Sequence, residues 1–359
     1  MRAEPLIAWT REPLNAETPL RLLCRSYVTP AELFFVRSHG SIPPVAADRY
    51  RLTLQGDVRT PLVLSLSELR DRFAPATVTA TLACAGNRRS ELGRIAPVPN
   101  GVPWGPGAIG NAVWTGIRLA DLLRAAGIGA DARHVAFTGL DQLDAGPGLE
   151  PFSGSIPIGK ALAPETLLAY EMNGAPLQPE HGFPLRAVVP GCIGARSVKW
   201  LSTISVRRSP STSFFQSTDY TLGGEPLGEQ TLNAAICTPL DGEAVRGAGI
   251  AVEGYAIAGG GRRLERVELS PDGGASWLPA TVRQDGNEPW SWRLWHASVE
   301  LARGSHELVV RAWNDSTEGQ PEDLAATWNP RGYMNNAWHR VRLSAQSRKP
   351  VARHAVAAS

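Results

Sequence analysis

The hydrophobic pattern of this chain changes character across residues 221–232, "TLGGEPLGEQTL", and that break constrains the fold more than any other feature. Before it, strand-like and helix-like stretches alternate. "YRLTLQG" alternates as a strand does, and "LSLSELRDRF" follows as a helix capped by Ser65 or Ser67. "TGIRLADLLRAAGI" predicts a helix with apolar positions Ile117, Leu119, Leu122 and Leu123, closing near Gly127. "RHVAFTGLD" and "FPLRAVVPG" read as buried strands. After the break come only short alternating segments, "GIAVEGYAIAG", "RRLERVELS", "ASWLPATV", "WSWRLWHASV" and "HELVVRAWN". Turn signals "PDGG", "DGNEP" and "ARGSH" separate them at the spacing of a β-sandwich, and "VELSPDGGASW" predicts a hairpin with a tight turn. The expectation is an α+β domain over residues 1–228, an all-β immunoglobulin-like sandwich over 229–345, and a mobile basic tail over 346–359.

Bulk properties narrow the function classes. A chain of 359 residues can bury a large core, and its 36 glycines and 29 prolines imply many turns and irregular connections. The net charge of +2 gives no overall attraction to nucleic acid or anionic lipid, so any basic site must be local. The four cysteines, at 24, 84, 192 and 237, show no C-x-x-C pair, which argues against a disulfide framework or a tetrahedral zinc site. "MRAEPLIAWTREPLNAE" carries neither an apolar signal core nor paired arginines, and no apolar run is long enough to cross a membrane. A cytoplasmic protein is expected. There is no G-x-G-x-x-G or Walker motif to suggest a nucleotide fold.

Chemistry concentrates in three places. "TATLACAGNRRSELGR" brings Cys84 to the end of a strand-like run, then two arginines, Arg88 and Arg89, within five residues. A cysteine there is by position a small buried hydrophobe. The "GNRR" that follows favours a chemical role, because a turn bearing two guanidinium groups is not expected in the core. Guanidinium groups near a thiol favour its thiolate, which is both nucleophile and metal ligand, and they also bind oxyanions. "AELFFVRSHGSIPPV" places Arg37 and His39 after an aromatic pair. "EHGFPLRAVVPGCIGARSVKW" gathers His181, Arg186, Arg196 and Lys199 in glycine-rich loops that suit phosphate. Arg37 and His39 are equally consistent with a solvated surface turn, and each of the three signals alone is weak.

Taken together, "CAGNRR", "FFVRSH", "GAIGNAVWTG", "YEMNGAPLQPEHGFPLRAVVPGCIGARSVKW" and "WNPRGYMNNAWHRV" resemble the sulfite oxidase family of molybdenum enzymes, in the family's order, from about residue 10 to residue 343. The resemblance implies a sulfite-oxidase-type molybdopterin domain followed by the family's molybdenum-cofactor dimerisation domain, and hence a homodimer. It implies Cys84 as the sole protein ligand to molybdenum. A molybdenum–molybdopterin cofactor would be held by Phe35, Val36, Arg37, Ser38, His39, Asp141, His181, Arg186, Ser197, Val198 and Lys199. Arg37, Arg89, Trp104, Arg331 and Tyr220 would surround a sulfite-sized oxyanion, with Arg37, Arg89 and Tyr220 the catalytic set; Arg88 would brace the turn.

The implied reaction is oxidation of sulfite to sulfate by oxygen-atom transfer. No cytochrome b5-like domain precedes the core, so no haem is expected in this chain, and electrons would leave to a separate cytochrome or to oxygen. Phe215 stands where the family carries tryptophan and Ser38 where asparagine is common, which leaves the substrate less determined than the cofactor. A nitrate-reductase-like molybdenum enzyme is the nearest alternative, and Arg331 argues against it. A sulfoxide-reducing relative or a non-catalytic binding protein are more distant ones. Trp277, Trp290, Trp292 and Trp295 fit either sandwich core or interface anchors.

Overall fold

The computed structural model describes residues 5–99, 101–144, 148–247, 249–283 and 288–346; the predicted tail beyond Gln346 lies outside them. Strands dominate and helices are few and short. In the first half, one five-stranded sheet is ordered Ser153–Pro157, His134–Gly139, Leu201–Arg207, Leu52–Gly56, Leu62–Leu64, with Leu201–Arg207 parallel to Leu52–Gly56. A second sheet pairs Pro75–Ala83 along its whole length with Ile109–Arg118, then adds Leu167–Met172 and the edge strands Ala175–Pro176 and Arg186–Val188. A small third sheet joins Ile7–Arg11, Leu14–Glu17 and Val36–Arg37. Alternating strand residues Leu52, Leu54, Phe137 and Ile204 bury against Leu122 and Leu123 of the helix Leu119–Ala126.

The capping reading holds at Ser65, whose hydroxyl accepts from the Glu68 amide while the Glu68 carboxylate accepts from the Ser65 amide. The predicted helix over "TGIRLADLLRAAGI" begins later than its periodicity suggested. Residues 115–118 belong to the strand Ile109–Arg118, and helix occupies only Leu119–Ala126 before Gly127 closes it at φ 72°. Backbone proximity decides this: a Cβ on Gly116 would lie 2.0 Å from the Leu168 carbonyl oxygen, so the neighbouring strand is packed directly onto it.

In the second half a four-stranded sheet, Asn233–Thr238, Gly249–Ile257, Arg293–Glu300, Thr281–Val282, faces a five-stranded one, Glu243–Arg246, His339–Gln346, Gly304–Asn314, Leu264–Ser270, Leu278–Pro279. Between them lies an apolar core that includes Ile236, Val252, Leu269, Trp295, Val310 and Val341. The hairpin predicted at "VELSPDGGASW" forms, but its turn is not tight. Leu269 pairs with Leu278 across a loop held by Ser270 and Asp272, whose side chains bond each other at 2.7 Å and the Gly274 and Ser276 amides at 2.8 Å each. Of the four tryptophans left open by the sequence, Trp295 is core and Trp292 is buried at the junction of the halves. Trp290 lies against Gly191 and Gly261, and Trp277 flanks the Arg311 guanidinium.

The two halves are tied together closely. Tyr255 donates to the Pro106 carbonyl at 2.9 Å and accepts from Asn87 at 3.0 Å. The loop 328–338 returns from the second half: its Met334 amide donates to the Ala85 carbonyl at 2.7 Å, next to Cys84.

Candidate active site

The strand Pro75–Ala83 ends at Cys84, and the chain reverses there because the Asn87 amide donates back to the Cys84 carbonyl at 3.0 Å. Arg88 takes the left-handed conformation, φ 67°, before the short turn Arg89–Leu92. Both arginines are core residues, contrary to the sequence expectation, with Arg88 fully buried and Arg89 6% exposed. What admits them is pairing. Arg88 forms a bidentate bond with Glu91 at 2.8 and 2.7 Å and donates to Asn233 at 2.8 Å, which makes it a brace between turn and second half. Arg89 donates to the Gly332 and Val102 carbonyls at 3.2 and 2.9 Å and lies 5.0 Å from the Tyr333 ring centre.

Cys84 opens into a pocket lined by cationic, polar and aromatic side chains. Of the residues singled out in the sequence, Phe35, Arg37, Ser38, His39, Cys84, Asp141, His181, Arg186, Ser197, Val198, Lys199 and Tyr220 line it together. Val36, Arg89, Trp104 and Arg331 do not. Val36 is buried in its strand. Trp104 is fully buried beside Cys84, Phe34 and Leu82, and its indole Nε1 has no protein partner. Arg331 lies outside: it is 41% exposed and bonds the Thr218 carbonyl and the Asp219 carboxylate, tying down the π-helical turn Phe215–Asp219 that presents Tyr220.

The pocket is cationic and its charged side chains are mostly buried. Lys199 donates to Ser38 Oγ at 3.1 Å and to the Glu180 carbonyl at 2.8 Å, and burial, reinforced by Arg186, pushes its pKa well down. Burial works against the Arg37 charge too, yet Tyr220 and Cys84 beside it outweigh that and keep the guanidinium protonated. His39 is held neutral by burial and then by Arg37 and Lys199. Its Nε2 lies 2.9 Å from the Tyr220 hydroxyl, and its ring stacks on Phe152 at 4.6 Å. Burial raises the Asp141 pKa, and Asp141 Oδ1 meets no protein donor. Arg186, lowered by burial to about 9, bonds the His181 and Ser197 carbonyls at 2.9 and 3.0 Å and so pins the two loops together. His181, lowered by burial to about 3, lies 2.9 Å from the Ala31 carbonyl.

Several contributors carried no signal in the sequence. Asn15 is fully buried between strands, and its Oδ1 accepts from Arg37 Nη1 at 3.0 Å and from the Ser38 amide at 3.1 Å. Its Nδ2 donates to Thr10 and to the Pro13 carbonyl, so the amide is fully engaged in aiming Arg37. Tyr333 stacks on Tyr220 at 5.2 Å and 11°, backing it from the second half. Phe152, Glu180 and Trp200 also line the pocket. Only the register of pairs such as Asn15 with Arg37 reveals these roles.

A soft sulfur donor beside buried cations that face no equal number of carboxylates fits an anionic, sulfur-ligated metal group, and the unpartnered Asp141 oxygen supplies an acceptor for its N–H groups. Comparison with known proteins agrees. Residues 39–215 match the oxidoreductase molybdopterin binding domain and residues 226–346 the Mo-co oxidoreductase dimerisation domain. Sulfite oxidase of Gallus gallus is 44% identical over 92% of this chain and 76% of its own length. The chain belongs to the sulfite oxidase family. Sulfite oxidase of Arabidopsis thaliana is 40% identical over 93% of this chain and 92% of its own. The crystal structure of the sulfane dehydrogenase SoxCD from Paracoccus pantotrophus superposes with a TM-score of 0.79 at 26% identity, covering 94% of this chain and 86% of that one. Membership implies a molybdenum–molybdopterin cofactor, with which the pocket's donor set agrees. No helix among the described residues is long and apolar enough to cross a membrane.

Proposed function

We propose that this chain oxidises sulfite to sulfate with molybdenum–molybdopterin and passes the electrons to a separate acceptor, a cytochrome or oxygen. The observation that carries the reading is the convergence of Cys84, Arg37, Lys199 and Tyr220 on one buried pocket. Cys84 would bind the metal, and Phe35, Ser38, His39, Asp141, Ser197, Val198 and Lys199 would hold the pterin and its phosphate, on loops fixed by Val36, His181 and Arg186. When bound, the group supplies oxygen-atom transfer and accepts the two electrons of the reaction. The protein's part is electrostatic and positional. Arg37, aimed by Asn15, compensates the charge of a doubly negative anion, with Arg89 adding charge from behind Tyr333. Tyr220, kept a neutral phenol by burial, can turn its single O–H from neutral His39 toward that anion, with the imidazole holding the hydroxyl in place. Trp104 packs beside Cys84 behind the pocket, and Arg331 shapes the site through the turn that carries Tyr220.

In this reading residues 1–228 form the catalytic domain. Residues 229–345 form an immunoglobulin-like sandwich through which two copies pair. The test is sulfite oxidation by the molybdenum-loaded protein with ferricyanide as acceptor. Activity that disappears, together with bound molybdenum, in Cys84→Ser supports the reading; a metal-loaded protein inert to sulfite refutes it. Nitrate reduction belongs in the same experiment, because Arg331, the residue favouring a doubly charged substrate, lies outside the pocket.

A further inference from the structure

A second cavity reaches Cys84 from the junction of the two halves. It is walled by Ala83, Cys84, Asn87, Gln230, Asn233 and Asn335, and shares Gln230 and Ile257 with a third, smaller cavity. That third cavity continues past Gly191 and Trp290 to the exposed Arg262 and Pro289. Gln230 stands where the two meet. It is 8% exposed, and neither its Oε1 nor its Nε2 has a hydrogen-bond partner in the protein. The neighbouring amides cannot serve it. Asn87 is engaged with Tyr255 and the Ala108 amide, Asn233 with Arg88 and the Asn335 carbonyl, and Asn335 with the Arg88 carbonyl and the Ala337 amide.

A buried amide with two donors and two lone pairs unpaired is costly, and water in a roomy polar cavity is what ordinarily satisfies it. We infer that Gln230 binds water at the neck of a solvent conduit running from the Arg262–Pro289 rim to the back of Cys84, and that this conduit serves turnover. The inference rests on the proposed reaction, which per sulfite consumes one water and releases two protons and two electrons. The anion pocket opens where substrate enters and product leaves. A separate hydrogen-bonded path lets water and protons move without passing a bound oxyanion.

The test uses the molybdenum-loaded full chain. A high-resolution crystal structure should show water within hydrogen-bond distance of both Gln230 polar atoms, and Gln230→Met should lose it. In that variant kcat for sulfite should fall about three-fold or more while KM and molybdenum content hold. Ile257→Phe, which narrows the neck without touching an amide, should lower kcat in the same way and covers the case in which Gln230→Met fails to fold. Absence of water on the Gln230 amide overturns the inference, as does an unchanged kcat in both variants. Wild-type protein that holds the water but does not oxidise sulfite would instead overturn the proposed reaction and leave the water site standing.

Discussion

Replacing Arg88 with methionine isolates the brace beneath the Cys84 turn. Its guanidinium is fully buried and makes four hydrogen bonds: two to Glu91 at 2.8 and 2.7 Å, one to Asn233 at 2.8 Å and one to the Ala234 carbonyl at 3.3 Å. Burial alone would raise the Glu91 pKa, but the charge and hydrogen bonds of Arg88 outweigh it and hold the carboxyl below its ordinary value. Removing Arg88 leaves a carboxylate in a dry site with His339, 3.8 Å away and itself kept neutral by burial, as the nearest base. Breaking one side of a buried pair costs about 3–5 kcal/mol, and replacing both partners by apolar groups costs less. Urea unfolding followed by tryptophan fluorescence should therefore rank Arg88→Met as less stable than the double variant Arg88→Met, Glu91→Leu. The pH dependence gives an independent signature. In the wild type the Glu91 contribution is present above the unfolded carboxyl pKa and is lost as pH falls through its lower folded value. In Arg88→Met the folded pKa is raised instead, so acidification toward the unfolded pKa should stabilise the variant relative to wild type. A single variant that loses less than about 1 kcal/mol, or a double variant no better than the single, refutes the argument.

Three further outcomes follow from the geometry. Asn15→Leu removes the acceptor that aims Arg37, and sulfite KM should rise about ten-fold at unchanged molybdenum content; an unmoved KM rejects the positioning role. Tyr220→Phe keeps the stack on Tyr333 but loses the hydroxyl at His39, so turnover should slow by about ten-fold or more with the metal still bound, and normal turnover argues against a proton role. His339, lowered by burial to about 4, binds a proton more readily unfolded than folded, so its contribution to stability is lost as pH falls from about 6.5 to about 4. His339→Gln should flatten the stability profile in that window, and an unchanged slope counts against the assignment.

Much of this was legible in the sequence because its signals are local. The Ser65 cap, the strand leading to Cys84 and the alternating strands beyond residue 230 each follow from neighbours along the chain. The boundary at residues 115–118 was not, because a helical period competes there with sheet pairing that brings Leu168 onto Gly116. Burial of Arg88 and Arg89 was hidden in part: Glu91, the bidentate partner of Arg88, stands three residues away, but Asn233 and Gly332 stand far along the chain. Arg331 shows the reverse case. Its motif "WNPRGY" implied a place among the anion's ligands, while its side chain turns outward to Asp219.

The loop 328–338 has a consequence for how such a chain can be divided or recombined. It leaves the C-terminal half to cover Arg89 with the Gly332 carbonyl, stack Tyr333 on Tyr220 and bond the Ala85 and Arg88 carbonyls through Met334 and Asn335. A cut at the glycine-rich link near residue 228 would thus remove the backing of Arg89 and Tyr220 along with the second half. A chimaera that exchanged the second half for a foreign one would keep a working anion site only if its own returning loop met Arg89 and Tyr220 in the same register.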